Sequence, residues 1–327
     1  MSVGFIMILQ GGVDLMIRIG VVNIDVSHPL AFASILNNGN RAKYVAVFND
    51  GFRGEDEVNN FVKTQGLEKI CTSIEELADY VDVGFVQGCN WDKHLEYAMA
   101  FISRNKPVFI DKPIVGNVEE CRKLIELEEN GAIILGSSSA RYCNEVRYFL
   151  TLPESERGKV LHIDITVGVD EFNYAIHAVE AMCALAQAKP LSVKYVGTSH
   201  KDNQSCETYF VEFEGGTTAC YHCVEGNYVK FNIIILTTTN SYCMTVDNNA
   251  LYCALLDEVL NKLEGKKNAL ANMEEITDSI KVSLAGKCSK ENAGKVVEIN
   301  SSELKTVHFD GYKFEKEYAA KAQPIYL

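Results

Sequence analysis

Over the first 140 positions, short unbroken apolar runs alternate with longer amphipathic stretches. Residues 17–23, 44–48, 81–86, 108–110 and 132–136 are runs rich in Val, Ile and Phe, as expected for parallel strands buried on both faces. Between them, residues 30–36 read as a helix with Pro29 in its first turn. A short helix begins at Ile74, and residues 94–104 place Leu95, Ala98, Met99 and Ile102 on one face. Residues 118–129 form a further helix, closed by Asn130-Gly131. Strand alternating with helix predicts a Rossmann-type, doubly wound parallel sheet.

From Gly158 the rhythm changes. Residues 160–167 alternate with period two, as a half-buried strand does. Helical spacing covers 172–188, and strand-like runs follow at 209–213, 217–224, 228–236 and 241–246. Gly215-Gly216 joins the first two as a hairpin, and Gly226-Asn227 is expected to join the next pair. Residues 250–263 and 273–286 read as late helices. The second half is therefore an α+β unit, a large and mainly antiparallel sheet flanked by helices. The expected division is an N-terminal extension over 1–15, one domain over 16–140 and another over 141–327.

Composition narrows the function. The chain has 327 residues, 47% hydrophobic and 23% charged, enough for two cores. A net charge of -13 argues against nucleic acid or an anionic membrane as partner. No apolar run is long enough to span a bilayer. Eleven scattered cysteines, odd in number and mostly inside apolar runs, point to a reducing cytoplasm without a disulfide framework.

The first strand, helix and second strand have the layout of a dinucleotide-binding βαβ unit. The loop after Gly20 lacks glycine, so Asn23 is expected to take an unusual backbone conformation. Asp25, Ser27 and His28 complete that loop, with Ser27 and His28 as candidate donors to phosphate or ribose. Asp50 ends the second strand where an acid would accept from ribose hydroxyls, which favours NAD, while Arg53 could serve the 2′-phosphate of NADP. The run from Val108 stops at Asp111-Lys112-Pro113, placing a lysine where ligands bind in such sheets. Arg141 and Tyr142 follow a later strand and are candidate substrate contacts. In Asn173-Tyr174-Ala175-Ile176-His177, Asn173 and His177 lie four apart, on one helix face. Cys220 and His222 would share a strand face with Cys223 on the other, which yields too few ligands for a metal, and none is expected.

A strand with a terminal acid, a strand running into Gly88, Asn90 and His94, and a strand closing on Asp111-Lys112-Pro113 together resemble the Gfo/Idh/MocA family of NAD(P)-dependent sugar and polyol oxidoreductases. Asp111 stands for the family's glutamate in Glu-Lys-Pro, and Cys89 replaces a proline. Asn173 stands where the family commonly has an aspartate four residues before its histidine.

The resemblance implies that Asn23, Asp25, Ser27, His28, Asp50, Arg53, Gly88, Asn90, His94, Asp111 and Lys112 border NAD, with NADP as the alternative. It implies Lys112, His177 and Asn173 as catalytic groups, and Lys112, Asn173, Tyr174 and His177 around a small polyol or sugar; Arg141 and Tyr142 join them only by their place after a strand, as contacts to substrate or cofactor. It makes 16–140 the dinucleotide domain and 141–327 the substrate-binding and dimerisation domain. A homodimer or homotetramer is expected through an uncovered apolar sheet face. The rival reading is a catalytically lapsed nucleotide- or sugar-binding module, favoured by the missing glycines and by Asn173, which cannot accept a proton.

Overall fold

The computed structural model describes residues 16–326, so the expected extension over 1–15 lies outside the described residues. The N-terminal part runs β1 (Ile17–Val22), α1 (His28–Asn37), β2 (Ala42–Phe48), α2 (Glu55–Gln65), β3 (Lys69–Ile70), α3 (Ile74–Tyr80), β4 (Val83–Val86), α4 (His94–Ile102), β5 (Val108–Ile110), α5 (Val118–Glu129) and β6 (Ile134–Leu135). Its six strands pair in parallel in the order β3-β2-β1-β4-β5-β6. The order reverses between β1 and β4, and ligands bind at such a switch point outside the carboxyl ends of the strands. Unbroken apolar strands are explained by burial on both faces: β4 and β5 are buried at every position.

The rest of the chain runs α6 (Asn144–Thr151), α7 (Glu154–Arg157), β7 (Val160–Val169), α8 (Ala175–Ala186), β8 (Pro190–Lys201), β9 (Gln204–Phe213), β10 (Thr218–Glu225), β11 (Asn232–Thr237), β12 (Ser241–Thr245), α9 (Leu251–Leu263), α10 (Met273–Glu291), β13 (Val297–Glu298) and α11 (Gly311–Lys321). Its sheet has the order β12-β11-β7-β10-β9-β8-β13. α8 and α10 pack on one face, over Ile163, Ile165, Tyr209, Val211 and Tyr221.

Two expectations about this sheet need correction. Gly226-Asn227 does not join a hairpin. β10 lies between β9 and β7, so it has no free edge; the chain turns over the end of β7, where Gly226 N donates to Val169 O, and β11 pairs on β7's far side. The outer face is also not uniformly apolar. Ile234 and Leu236 are exposed there, but the register sets them beside Asp164 and His162.

The late elements return to the first sheet. Leu255, Leu256, Val259 and Leu260 of α9 join the core formed with Ile19, Val21, Phe32 and Leu36. Arg41 clasps α9 through Asp257 at 2.7 Å, Asn261 at 2.7 Å and Glu264 at 2.7–2.8 Å. α11 crosses the carboxyl ends of β1, β2 and β4. Its Gly311 N donates to Asp92 Oδ2 at 2.8 Å, and Phe52 meets Tyr318 edge-on.

Candidate active site

Asp111-Lys112 leaves β5 at the floor of the crevice. Lys112 Nζ reaches across to the second sheet, donating to Asn173 Oδ1 at 2.8 Å and Asn173 O at 3.0 Å. Asn173 lies in the turn before α8 rather than in the helix, so it and His177 do not share a helix face as the spacing predicts. That turn is built by Asp170, which accepts from Phe172 N and Tyr174 N, each at 3.0 Å. Val169 just before it has φ 79°, an unfavourable value for a β-branched residue, and is held there by hydrogen bonds to Asn227 O and from Gly226 N.

His177 Nδ1 is 2.7 Å from Ser138 Oγ, and Ser138 N donates to the buried carboxylate of Glu180 at 3.2 Å. His177, Tyr174, Ser139, Tyr228, Asn248 and Tyr252 line a cavity of about 180 Å³. His28 Nδ1 lies 2.6 Å from Asp111 Oδ2, and Tyr252 meets the His28 ring edge-on.

The charges are coupled. Burial pulls Lys112 below the usual lysine range, opposed by Asp111 and Asp170. Burial, then Lys112 and His28, hold His177 well below the ordinary histidine value, so it is neutral. Burial alone would raise Asp111, but His28 and Lys112 outweigh it and keep the carboxylate ionised. Lys112 and Asn173 do not line that cavity themselves; Lys112 Nζ sits 5.5 Å from the ring centre of Tyr174, which does. A lysine, a neutral imidazole and an amide grouped in this way can orient a hydroxyl, take its proton and stabilise the oxyanion.

The other end of the crevice differs. Asn23, Asp25 and His28 have the 1-3-6 spacing of the glycines in a G-x-G-x-x-G turn. Asn23 takes φ 63°, the left-handed conformation a first glycine supplies, and its Oδ1 accepts from Asp50 N at 2.9 Å and Gly51 N at 3.2 Å. Asp25 stands where the backbone should approach a pyrophosphate. Its buried carboxylate accepts from Phe52 N at 3.2 Å and Cys89 N at 3.1 Å, and burial pushes it up to about 6.

The remaining predicted cofactor contacts divide. Ser27 is exposed at the start of α1, and Asp50 lies two residues past β2, where it accepts from Tyr97 Oη. Arg53 is buried and donates to Asp25 O, Glu57 and Gln323 O, so it is not free for a 2′-phosphate. Gly88 packs under Asn23, and its carbonyl accepts from His94 Nε2 at 2.9 Å. His94 Nδ1 is 3.1 Å from Ile114 O; this histidine pins two loops together. Asn90 donates to Glu315 of α11 at 2.9 Å. Arg141 and Tyr142 do not line the cavity: Arg141 is buried beside Glu180, and Tyr142 Oη bonds Gly136 O and Ala271 N. Sequence reasoning missed Ser138, Asp170, Glu180 and Tyr252. Only the serine run after β6 was a visible signal.

A nicotinamide dinucleotide thus fits this crevice unevenly. Lys112, Asp111 and the cavity suit its reactive end, and Asn23 keeps the tight turn. At the diphosphate end, the space over the loop is taken by Asp25 and by the C-terminal residues Glu315, Gln323 and Tyr326.

Similar proteins share this architecture. A probable dehydrogenase from Thermotoga maritima is 16% identical, with a TM-score of 0.74 over 86% of this chain and 98% of that one. The scyllo-inositol dehydrogenase of Lactobacillus casei, solved with NAD(H) and scyllo-inositol, is 15% identical, with a TM-score of 0.74 over 88% and 100%. The myo-inositol dehydrogenase of the same organism, in complex with NAD(H) and myo-inositol, is 13% identical, with a TM-score of 0.74 over 88% and 98%. These likenesses show the fold. Comparison with curated proteins gives no match. Residues 17–137, the stretch that builds the parallel sheet, match the family model described as "Oxidoreductase family, NAD-binding Rossmann fold".

Proposed function

We propose that the protein is an NAD(P)-dependent oxidoreductase acting on a secondary alcohol of a small polyhydroxylated ring, a sugar or cyclitol, with NAD the favoured cofactor. The observation that carries this is the meeting of Lys112 with Asn173 beside Tyr174, whose ring lines one cavity together with neutral His177. When bound, the nicotinamide supplies the hydride acceptor or donor. With Nδ1 donating to Ser138 Oγ, His177 presents Nε2 as the base that takes the hydroxyl proton. Lys112 donates to the same oxygen and stabilises it as charge develops. Asn173 orients the lysine and binds a neighbouring hydroxyl. The inositol dehydrogenases of similar fold support a cyclitol-sized substrate. An assay over a polyol panel with NAD and NADP tests this reading; no turnover with any member, alongside no NADH binding, would refute it.

A second reading, a binding module without turnover, is favoured by Asp25 at the phosphate position and by Asn173, which cannot exchange a proton. Binding of dinucleotide without turnover would select it. We also propose self-association through the outer sheet face, supported by exposed Ile234 and Leu236, and residence in a reducing compartment such as the cytoplasm, supported by eleven free thiols. No helix among the described residues is long and apolar enough to cross a membrane.

A further inference from the structure

The parallel pairing of β7 with β10 assembles a ligand set that neither strand has alone. Cys220 sits opposite Asp164, and Thr218 opposite His162. Ligand atoms of His162, Asp164 and Cys220 all lie within 4.8 Å of one another. Two threonines orient the neighbouring imidazoles. Thr218 Oγ1 donates to Leu161 O at 3.5 Å, so it accepts from His162 Nδ1 at 2.8 Å and leaves the lone pair on Nε2. His222 Nδ1 is 2.9 Å from Thr208 Oγ1, and its Nε2 is 3.1 Å from Asp164 Oδ2. A histidine bonded to a ligating carboxylate is the outer-shell arrangement that orients metal ligands.

We propose that His162, Asp164 and Cys220 bind a zinc-class divalent ion on the outer face of the C-terminal sheet, with water in the fourth position and His222 positioning Asp164. Nitrogen, oxygen and sulfur donors suit this borderline-soft ion, and one carboxylate and one thiolate balance its charge. Binding releases the Cys220 thiol proton to solvent. The full-length protein, stripped with a chelator, is titrated with Co²⁺ and then Zn²⁺. The expected result is one Co²⁺ per chain with a thiolate-to-metal charge-transfer band, displaced by Zn²⁺. Cys220→Ser abolishes the band, His162→Ala weakens binding more than tenfold, and Cys243→Ser, at an exposed cysteine, changes nothing. A band that survives in Cys220→Ser, or no stoichiometric binding in the folded wild type, overturns the proposal.

An independent observation concerns the crevice, and it rests on the dinucleotide reading. Tyr326 Oη donates to Val26 O in the phosphate loop at 2.6 Å, and its ring packs edge-on against Phe61. Gln323 O accepts from Arg53 at 2.9 Å. Carboxylate oxygens of Asp25 and Glu315 and the Cys89 thiol lie within 4.8 Å of one another, so negative charge faces the place of a diphosphate. The geometry points to residues 311–326 as a strap that competes with the dinucleotide for one crevice.

NADH binding to the full chain is followed by nicotinamide fluorescence, and hydrogen exchange of α11 is measured with and without NADH. The expected results are faster exchange in α11 when NADH binds, and at least tenfold tighter binding in Tyr326→Ala. Equal affinity with unchanged α11 exchange overturns the strap and leaves the oxidoreductase reading intact. No binding in either protein overturns both.

Discussion

The two ends of the crevice under α11 present opposite charge to a ligand. At the β5 end, the Lys112 ammonium is held by Asn173 over the Tyr174 ring, close enough to a neutral imidazole to influence it, and offers positive charge. At the β1 end, the Asp25 carboxylate stands in the phosphate loop, held by Phe52 N and Cys89 N, and Glu315 is nearby. Both ends keep the backbone framework of a dinucleotide fold, and they diverge only in side chains. Framework and chemistry are therefore separable: the turn survives with Asn23 in place of glycine, whereas affinity for an anion depends on what fills the space above it.

The largest effects should come from the reactive end. Lys112→Ala is expected to lower kcat about 10²–10⁴-fold with the fold intact, read by steady-state kinetics beside circular dichroism. Wild-type activity in this variant would remove the site's asymmetry altogether. In the proposed mechanism His177 acts as a base in its neutral form, so its lowered pKa would move the acid limb of kcat/KM to lower pH. The profile should stay level down through about pH 6.5, the ordinary histidine value; a midpoint at or above that value contradicts the assignment.

The phosphate end should show itself in stability. Asp25 is raised from 3.8 to about 6, so its contribution is fully present below the unfolded value and is lost as pH rises through the folded one. Ionising it in place costs about 3 kcal/mol, and Asp25→Asn should recover that at pH 8 but not at pH 4 in denaturant titrations. A Cβ added at Gly51 would fall on the Asp25 carboxylate, so Gly51→Ala should cost about 1–3 kcal/mol. Most of that loss should vanish in a double-mutant cycle with Asp25→Ala; strict additivity would mean the two do not touch. The smallest effect is Tyr326→Phe, which removes one hydrogen bond to Val26 O and about 1 kcal/mol in chemical denaturation.

The first sheet was legible because each strand carries its own signal: an apolar run, a turn, then an amphipathic helix. Lys112 and His177 could be singled out as candidates because a strand end and a helical run are local properties, whereas the place of Asn173 in the turn before α8 was not legible. α2, β8 and α11 were not read. The apolar positions of α11 are sparse, and of its residues only Gly311 is fully buried, so periodicity alone could not report it. Arg53 and Asp25 looked like free polar groups because their partners, Gln323 O, Cys89 N and Phe52 N, are fixed by tertiary contacts. The pairing of β7 with β10 likewise joins His162 to Thr218 across more than 50 positions, and no local pattern encodes it.

The position of the strap late in the chain has a consequence during synthesis. The parallel sheet is complete once β6 has emerged, and residues 311–326 begin 176 positions after its end at Leu135. At ordinary elongation rates that interval is about 10–40 s, and N-terminal domains fold first. For that time the nascent protein displays the phosphate loop uncovered, so the chain can meet its cofactor before it has made the segment that competes for the same space.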